Sequence, residues 1–164
     1  MNTNNAGIEI RPIAAEEFPA YCQVPANAFG QTLTPERVKD WSEGFELDRT
    51  LAAFDGDRIV GTGGADSLEL TLPGGTVIPV GGLTAISVLP THRRRGILRA
   101  IMERHFQDVE ARGEVVSALL ASESAIYSRF GYGPATYGAD LEIDPRSSAF
   151  LRPPPGGGRA RLLD

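Results

Sequence analysis

The residues best suited to chemistry lie between positions 91 and 99: Thr91-His92-Arg93-Arg94-Arg95-Gly96-Ile97-Leu98-Arg99. A strand pattern ends just before them and an apolar helical stripe begins just after. A helix starting there presents unpaired backbone N–H groups and about half a positive charge. Such a turn binds phosphate or pyrophosphate, Gly96 lets the ligand approach the backbone, and neighbouring Arg side chains add charge-assisted contacts. No Gly-Lys-Ser or Gly-Lys-Thr follows, so this is not a P-loop, and Gly96 stands alone, so it is not a dinucleotide fingerprint. Two other readings of the arginines stay open: a solvated helix start and a nucleic-acid patch. The patch lacks interleaved aromatics, and the net charge is −5 where a nucleic-acid binder is basic.

The other chemistry-bearing side chains are few. Cys22 is the only cysteine and there are two histidines, so neither a disulfide framework nor a dedicated metal site is expected. His105 falls on an apolar helical stripe, the place of a hydrogen-bonded core residue. His92 sits at the anion end of the segment. The 164 residues suit a single domain that folds without metal or disulfide. No eighteen-residue apolar run and no basic, hydrophobic leader are present, so neither a membrane span nor a secretory signal is expected, and the expected compartment is the cytoplasm.

Several elements must position the segment. Ile8–Arg11 reads as a first strand and residues 14–29 as broken helix. Thr34-Pro35 starts a helix running to about Gly44. Residues 50–54 and 59–65 flank Asp55-Gly56-Asp57 as a hairpin, followed by strands at 68–72, 76–80 and 83–89. Ile97, Leu98, Ile101, Met102, His105, Phe106 and Val109 make one helical stripe, and Gly113 stops that helix. The apolar run 115–121 reads as a buried parallel strand, completing a βαβ unit. A helix over 122–130, capped by Ser122, and a strand over 136–143 follow. Pro153–Gly158 reads as a linker leading to further sequence.

Arg93-x-x-Gly96-x-Leu98, after a strand and opening a helix, resembles the acetyl-CoA pyrophosphate loop of the GNAT acyltransferases. Their usual pattern is Gln or Arg, two residues, Gly, one residue, then Gly or Ala, so Leu98 is a departure. The whole stretch Val88–Ala100 is similar to the Eis (enhanced intracellular survival) acetyltransferases, in which Leu at that place is normal. Ala121-Ser122-Glu123-Ser124-Ala125-Ile126-Tyr127-Ser128-Arg129-Phe130-Gly131-Tyr132-Gly133-Pro134-Ala135-Thr136 resembles the same family. The likeness covers roughly residues 8–145 and is loosest before residue 50.

The resemblance implies an α/β fold with a mixed sheet, an antiparallel meander followed by the βαβ unit that carries the acetyl-CoA site. It implies a GNAT domain over 1–145 and a linker or tail over 146–164. Ile86, Ser87 and Val88 would meet the pantetheine arm, and Arg94, Arg95, Gly96, Ile97, Leu98 and Arg99 the pyrophosphate. Ser122 and Glu123 would line the thioester. Tyr127 matches the family's general acid; a phenol near pKa 10 can share its proton with a departing thiolate. A core tyrosine packed on Phe130 and Tyr132 is the alternative reading. Phe29 and Trp41 fall where the family places its aromatic pocket walls, or are core aromatics. Acetyl-CoA is the implied co-substrate, without metal, and a cationic small-molecule or lysine-like amine the implied acceptor, without nucleic acid or membrane. The family forms hexamers, so a homo-oligomer is implied. In that family the base is the C-terminal carboxylate of a distant domain. This sequence runs only to Asp164 and is expected to lack that domain. A module that binds acyl-CoA without catalysis is the competing expectation.

Overall fold

A computed structural model describes residues 7–139, 142–152, 155, 156 and 159. The chain divides into two compact units, Met1–Tyr132 and Gly133–Asp164. In the first, β1 (Ile8–Arg11), α1 (Phe18–Ala28), α2 (Pro35–Gly44), β2 (Thr50–Asp55), β3 (Arg58–Thr71), β4 (Val77–Val88), α3 (Ile97–Ala111) and β5 (Val116–Leu119) follow in that order. The strands form one sheet in the order β1-β2-β3-β4-β5. Every neighbouring pair is antiparallel except β4 and β5. This is the mixed sheet and meander expected from the sequence.

Helices pack on the sheet where the residues are small enough to let them close in. A Cβ on Gly61 would stand 2.9 Å from Ile97 Cγ2, and one on Gly63 would stand 2.6 Å from Ile101 Cγ2. These glycines therefore bring α3 directly onto β3. Tyr21 of α1 is fully buried and donates its phenol proton to the Gly63 carbonyl at 2.7 Å. Thr34 caps α2 as the Thr-Pro pair predicts, accepting from the Arg37 amide at 3.3 Å.

The structure corrects several local expectations. Residues 18–28 form one continuous helix despite Pro25. The missing N–H is offset by the burial of Phe18, Tyr21, Cys22, Val24 and Ala26, each side chain contributing on the order of 1–3 kcal/mol. The paired short strands merge into the long β3 and β4, joined at Leu72–Thr76, where Gly74 and Gly75 have φ of +98° and +88°. β5 is parallel to β4 as expected, but it is the sheet edge rather than a buried strand, with Leu120 beyond it 100% exposed.

The expected helix over 122–130 is two short 3₁₀ turns, Ser124–Ile126 and Ser128–Phe130, and Ser122 caps nothing. A nine-residue serine-containing segment with only Ile126, Tyr127 and Phe130 half-buried has too little packing to propagate an α-helix. Of the expected strand 136–143, residues 136–139, 142 and 143 are exposed and unpaired, while Asp140 and Leu141 lie outside the described residues. In the second unit, the Asp144 carboxylate caps the turn Pro145–Ser147. Only Pro155 and Gly156 of the Pro153–Gly158 run are described, and Asp164 lies outside.

Candidate acyl-CoA site

The site begins with a bulge in β4. Thr62 pairs with Ser87 and Gly64 with Thr84, so β4 carries one extra residue between these pairs. Ala85 absorbs it at φ +52°, the left-handed region that a non-glycine residue enters only at a cost. Buried Thr62 holds it there: its hydroxyl donates to the Ala85 carbonyl at 2.8 Å and lies 2.6 Å from the buried Ser87 hydroxyl.

The parallel pairing of β5 with β4 ends at Leu83–Leu119, immediately before the bulge. From Thr84 to Val88, β4 has β3 on one side and no strand on the other. The backbone edge of Ile86, Ser87 and Val88 therefore has no strand partner on the β5 side, and among the described residues the Val88 carbonyl meets only Arg93 Nε, at 3.5 Å. Their side chains are occupied elsewhere: Ser87 bonds Thr62, and Ile86 and Val88 pack against the core.

Beyond Val88 the chain turns at Pro90–His92. Buried His92 fastens this corner, with Nε2 3.1 Å from the Asp55 carboxylate and Nδ1 2.8 Å from Thr91 Oγ1. Arg94 has φ +62° and Gly96 φ +84°, and Gly96 is the N-cap residue of α3 with no side chain filling the cap. Among the described residues, no amide from Arg93 to Arg99 donates to a protein acceptor outside the helix itself. Arg93, Arg94, Arg95 and Arg99 are exposed and join no salt bridge there. Ile97 is buried and anchors the turn. Arg93 Nε makes a long contact to the Val88 carbonyl at 3.5 Å, and the other three guanidiniums are free. A helix N-terminus, a loop bent through left-handed residues and these guanidiniums together make a donor set matched to a diphosphate.

The strand edge and the loop lie at this one end of the sheet. Ser122 and Glu123 follow the end of β5 and are exposed. Tyr127 is half-buried between the two 3₁₀ turns, its ring edge-on to Tyr132 with centroids 6.0 Å apart. Burial, and secondarily the Glu123 carboxylate, push the Tyr127 phenol above its ordinary pKa. Phe29 lies past the end of α1, 56% exposed. Trp41 packs against the core, with the Arg37 guanidinium 5.6 Å from its ring. Neither ring joins the Phe18–Tyr21–Phe45 cluster.

The Acetyltransferase (GNAT) domain profile matches residues 9–135, which span every element just described. The chain belongs to the GNAT acetyltransferase family. Within that family it is Eis-like. It is 38% identical over 147 residues to the N-acetyltransferase Eis of Mycobacterium tuberculosis, covering 87% of this chain and 37% of that protein. An uncharacterized N-acetyltransferase of Streptomyces avermitilis is 39% identical over 155 residues, 94% of this chain and 38% of that one. The crystal structure of Eis1 from Mycobacterium abscessus superposes with a TM-score of 0.70 at 39% identity, over 76% of this chain and 32% of that one. The chain spans about 38% of the length of the curated relatives it matches.

Three features of this GNAT domain escaped the sequence. The Thr62–Ala85–Ser87 bulge has no marker, because the left-handed residue is Ala and not Gly. The buried pair Arg49–Glu114, bidentate at 2.6 and 2.7 Å, joins residues 65 positions apart that carry no pattern. His105 was legible as a core residue, but its bond to Ser117 at 2.8 Å was not. A surface concavity of about 750 Å³ at the opposite end of the sheet includes Arg49, Glu114 and Arg112 in its lining. Both guanidiniums are already paired, Arg49 with Glu114 and Arg112 with Asp48. No helix among the described residues is long and apolar enough to cross a membrane.

Proposed function

We propose that this domain is an acetyl-CoA-dependent N-acetyltransferase of the Eis type, acting by direct attack of a primary amine on the thioester. The observation that carries the reading is the coincidence of an open β4 edge with an unsatisfied α3 N-terminus. Acetyl-CoA supplies the activated acyl group. The amides and guanidiniums of Arg94–Arg99 hold its diphosphate, and the Ile86–Val88 backbone takes the pantetheine arm as a strand would. Ser122 and Glu123 line the thioester end. As the amine nitrogen bonds to the acetyl carbon and the C–S bond breaks, Tyr127 gives its proton to the sulfur. A phenol near pKa 10 is protonated at neutral pH, the state an acid needs, and burial raises that of Tyr127 further. Cys22 is buried and its thiol is pushed up to about 11 by that burial, so it does not compete as a nucleophile.

The acceptor in this reading is a cationic small molecule or a lysine-like amine, drawn by the net charge of −5. Phe29 and Trp41 are proposed as pocket walls. We place the protein in the cytoplasm and allow a homo-oligomer.

One observation favours a second reading, a module that binds acyl-CoA without transferring it: His92 and His105 are both buried residues already hydrogen-bonded within the protein, so neither is free to take the ammonium proton. Incubation with acetyl-CoA and a panel of amines, with released thiol followed and CoA binding titrated separately, decides between them. Binding with thiol release supports the enzyme. Binding without release on any amine supports the module, and absence of binding removes both.

A further inference from the structure

Beneath Tyr127 lies a polar chain that the chemistry above does not use. Ser117 of β5 has one hydroxyl proton, and the Gly81 carbonyl at 2.9 Å can only accept it. Ser117 Oγ therefore accepts from Tyr132 Oη at 2.6 Å and from His105 Nε2 at 2.8 Å. This one oxygen ties together β4, β5, α3 and the segment after the second 3₁₀ turn. Tyr132 is held on two further sides, with Phe106 stacked at 6.1 Å and its own amide donating to the Tyr127 carbonyl at 3.3 Å. Its ring is the aromatic partner of Tyr127, edge-on at 73°.

We infer that Tyr132 is a positioning residue for Tyr127: anchored through Ser117 to His105, it fixes the direction in which the Tyr127 hydroxyl points. Tyr127 sits in an irregular segment of short turns, where no α-helical backbone holds its side chain. A rigid neighbour tied to the sheet supplies what the local backbone does not. The inference rests on Tyr127 being the acid, and the test separates the two.

Turnover with saturating amine, KM for acetyl-CoA and CoA affinity are measured for Tyr127→Phe, Tyr132→Phe and the double variant. Tyr132→Phe keeps the packed ring and removes the anchor. It is expected to lower turnover about fivefold, the scale of one lost hydrogen bond, with KM and CoA affinity unchanged. In the Tyr127→Phe background it is expected to change nothing further, because a residue acting through Tyr127 has nothing left to position. Full turnover in Tyr132→Phe, or the same fivefold loss in both backgrounds, overturns the inference. Wild-type turnover in Tyr127→Phe instead removes the acid. Ser117→Ala, which frees the same anchor from the other side, must reproduce the pattern if Tyr132→Phe folds poorly.

A second readout is independent of turnover. Burial, and then the Glu123 charge, raise the Tyr127 phenol above its ordinary pKa, and its ring stands edge-on to Tyr132 at 6.0 Å. Its NMR titration midpoint should move back toward the ordinary tyrosine value in Tyr132→Phe, as the ring swings toward water; an unmoved midpoint also overturns the inference.

Discussion

The two ends of the β4–β5 pair are built on opposite rules. At the paired end, from Val80–Val116 to Leu83–Leu119, polar groups are satisfied by protein. Arg49 and Glu114 are both buried and meet in a bidentate pair, and Arg49 also donates to Ser67. Ser117 gathers three partners. At the open end, past the Ala85 bulge, the β4 edge has no strand partner and the amides of Arg93–Arg99 have no backbone acceptor outside the helix among the described residues. The guanidiniums of Arg94, Arg95 and Arg99 have no protein partner among those residues, while Arg93 Nε makes one long contact to the Val88 carbonyl at 3.5 Å. A fold held only by satisfied groups has nowhere to bind a charged ligand. One with open groups throughout would not be stable. The bulge separates the two regimes within a single strand.

The contrast can be broken from either side. Glu114→Ala leaves Arg49 buried and unpaired, which costs about 3–5 kcal/mol. Urea unfolding should show that loss, while the fraction still folded binds CoA with unchanged affinity. At the open end, Tyr127→Phe should lower turnover about 100-fold with unfolding midpoint and CoA binding unchanged; steady-state rates and calorimetry read both. Gly96→Ala places a Cβ at φ +84°, a strain of about 1–2 kcal/mol. It should weaken CoA binding as the amides move, again measured by calorimetry.

The smallest effect is a pH slope at the satisfied end. Burial, and then the Arg49 charge, hold the His105 pKa below its ordinary 6.5, against Asp108 and Glu114, which raise it. The folded imidazole is thus neutral where the unfolded one takes up a proton. Its contribution to stability is complete above about pH 6.5 and declines as pH falls below that value. Unfolding free energies between pH 7.5 and 5.5 should show the decline, and His105→Gln should flatten it.

The parts of the fold that depend on near neighbours were legible in the sequence. Thr34-Pro35 marks the start of α2, the stripe from Ile97 to Val109 marks α3, and the Arg93–Arg99 loop announces its free amides by lying between strand and helix. What depends on distant partners was not. Ala85 adopts its left-handed conformation because Thr62, 23 residues away, bonds its carbonyl. Glu114 is buried because Arg49 meets it. The run 115–121 is apolar yet lies at an edge, since hydrophobicity does not say which neighbour a strand will have. The serine-rich segment 122–130 had a helical stop signal at Gly131 but too little buried surface to form a helix.

Amide chemical shifts of the uniformly ¹⁵N-labelled chain, followed while CoA is added, test the division most directly. Saturable shifts should cluster at Ile86–Val88 and Arg94–Arg99 and leave Val80–Leu83 and Glu114–Leu119 in place. Shifts confined to the paired end, or none at saturating CoA, would contradict the assignment of the open end as the acyl-CoA site.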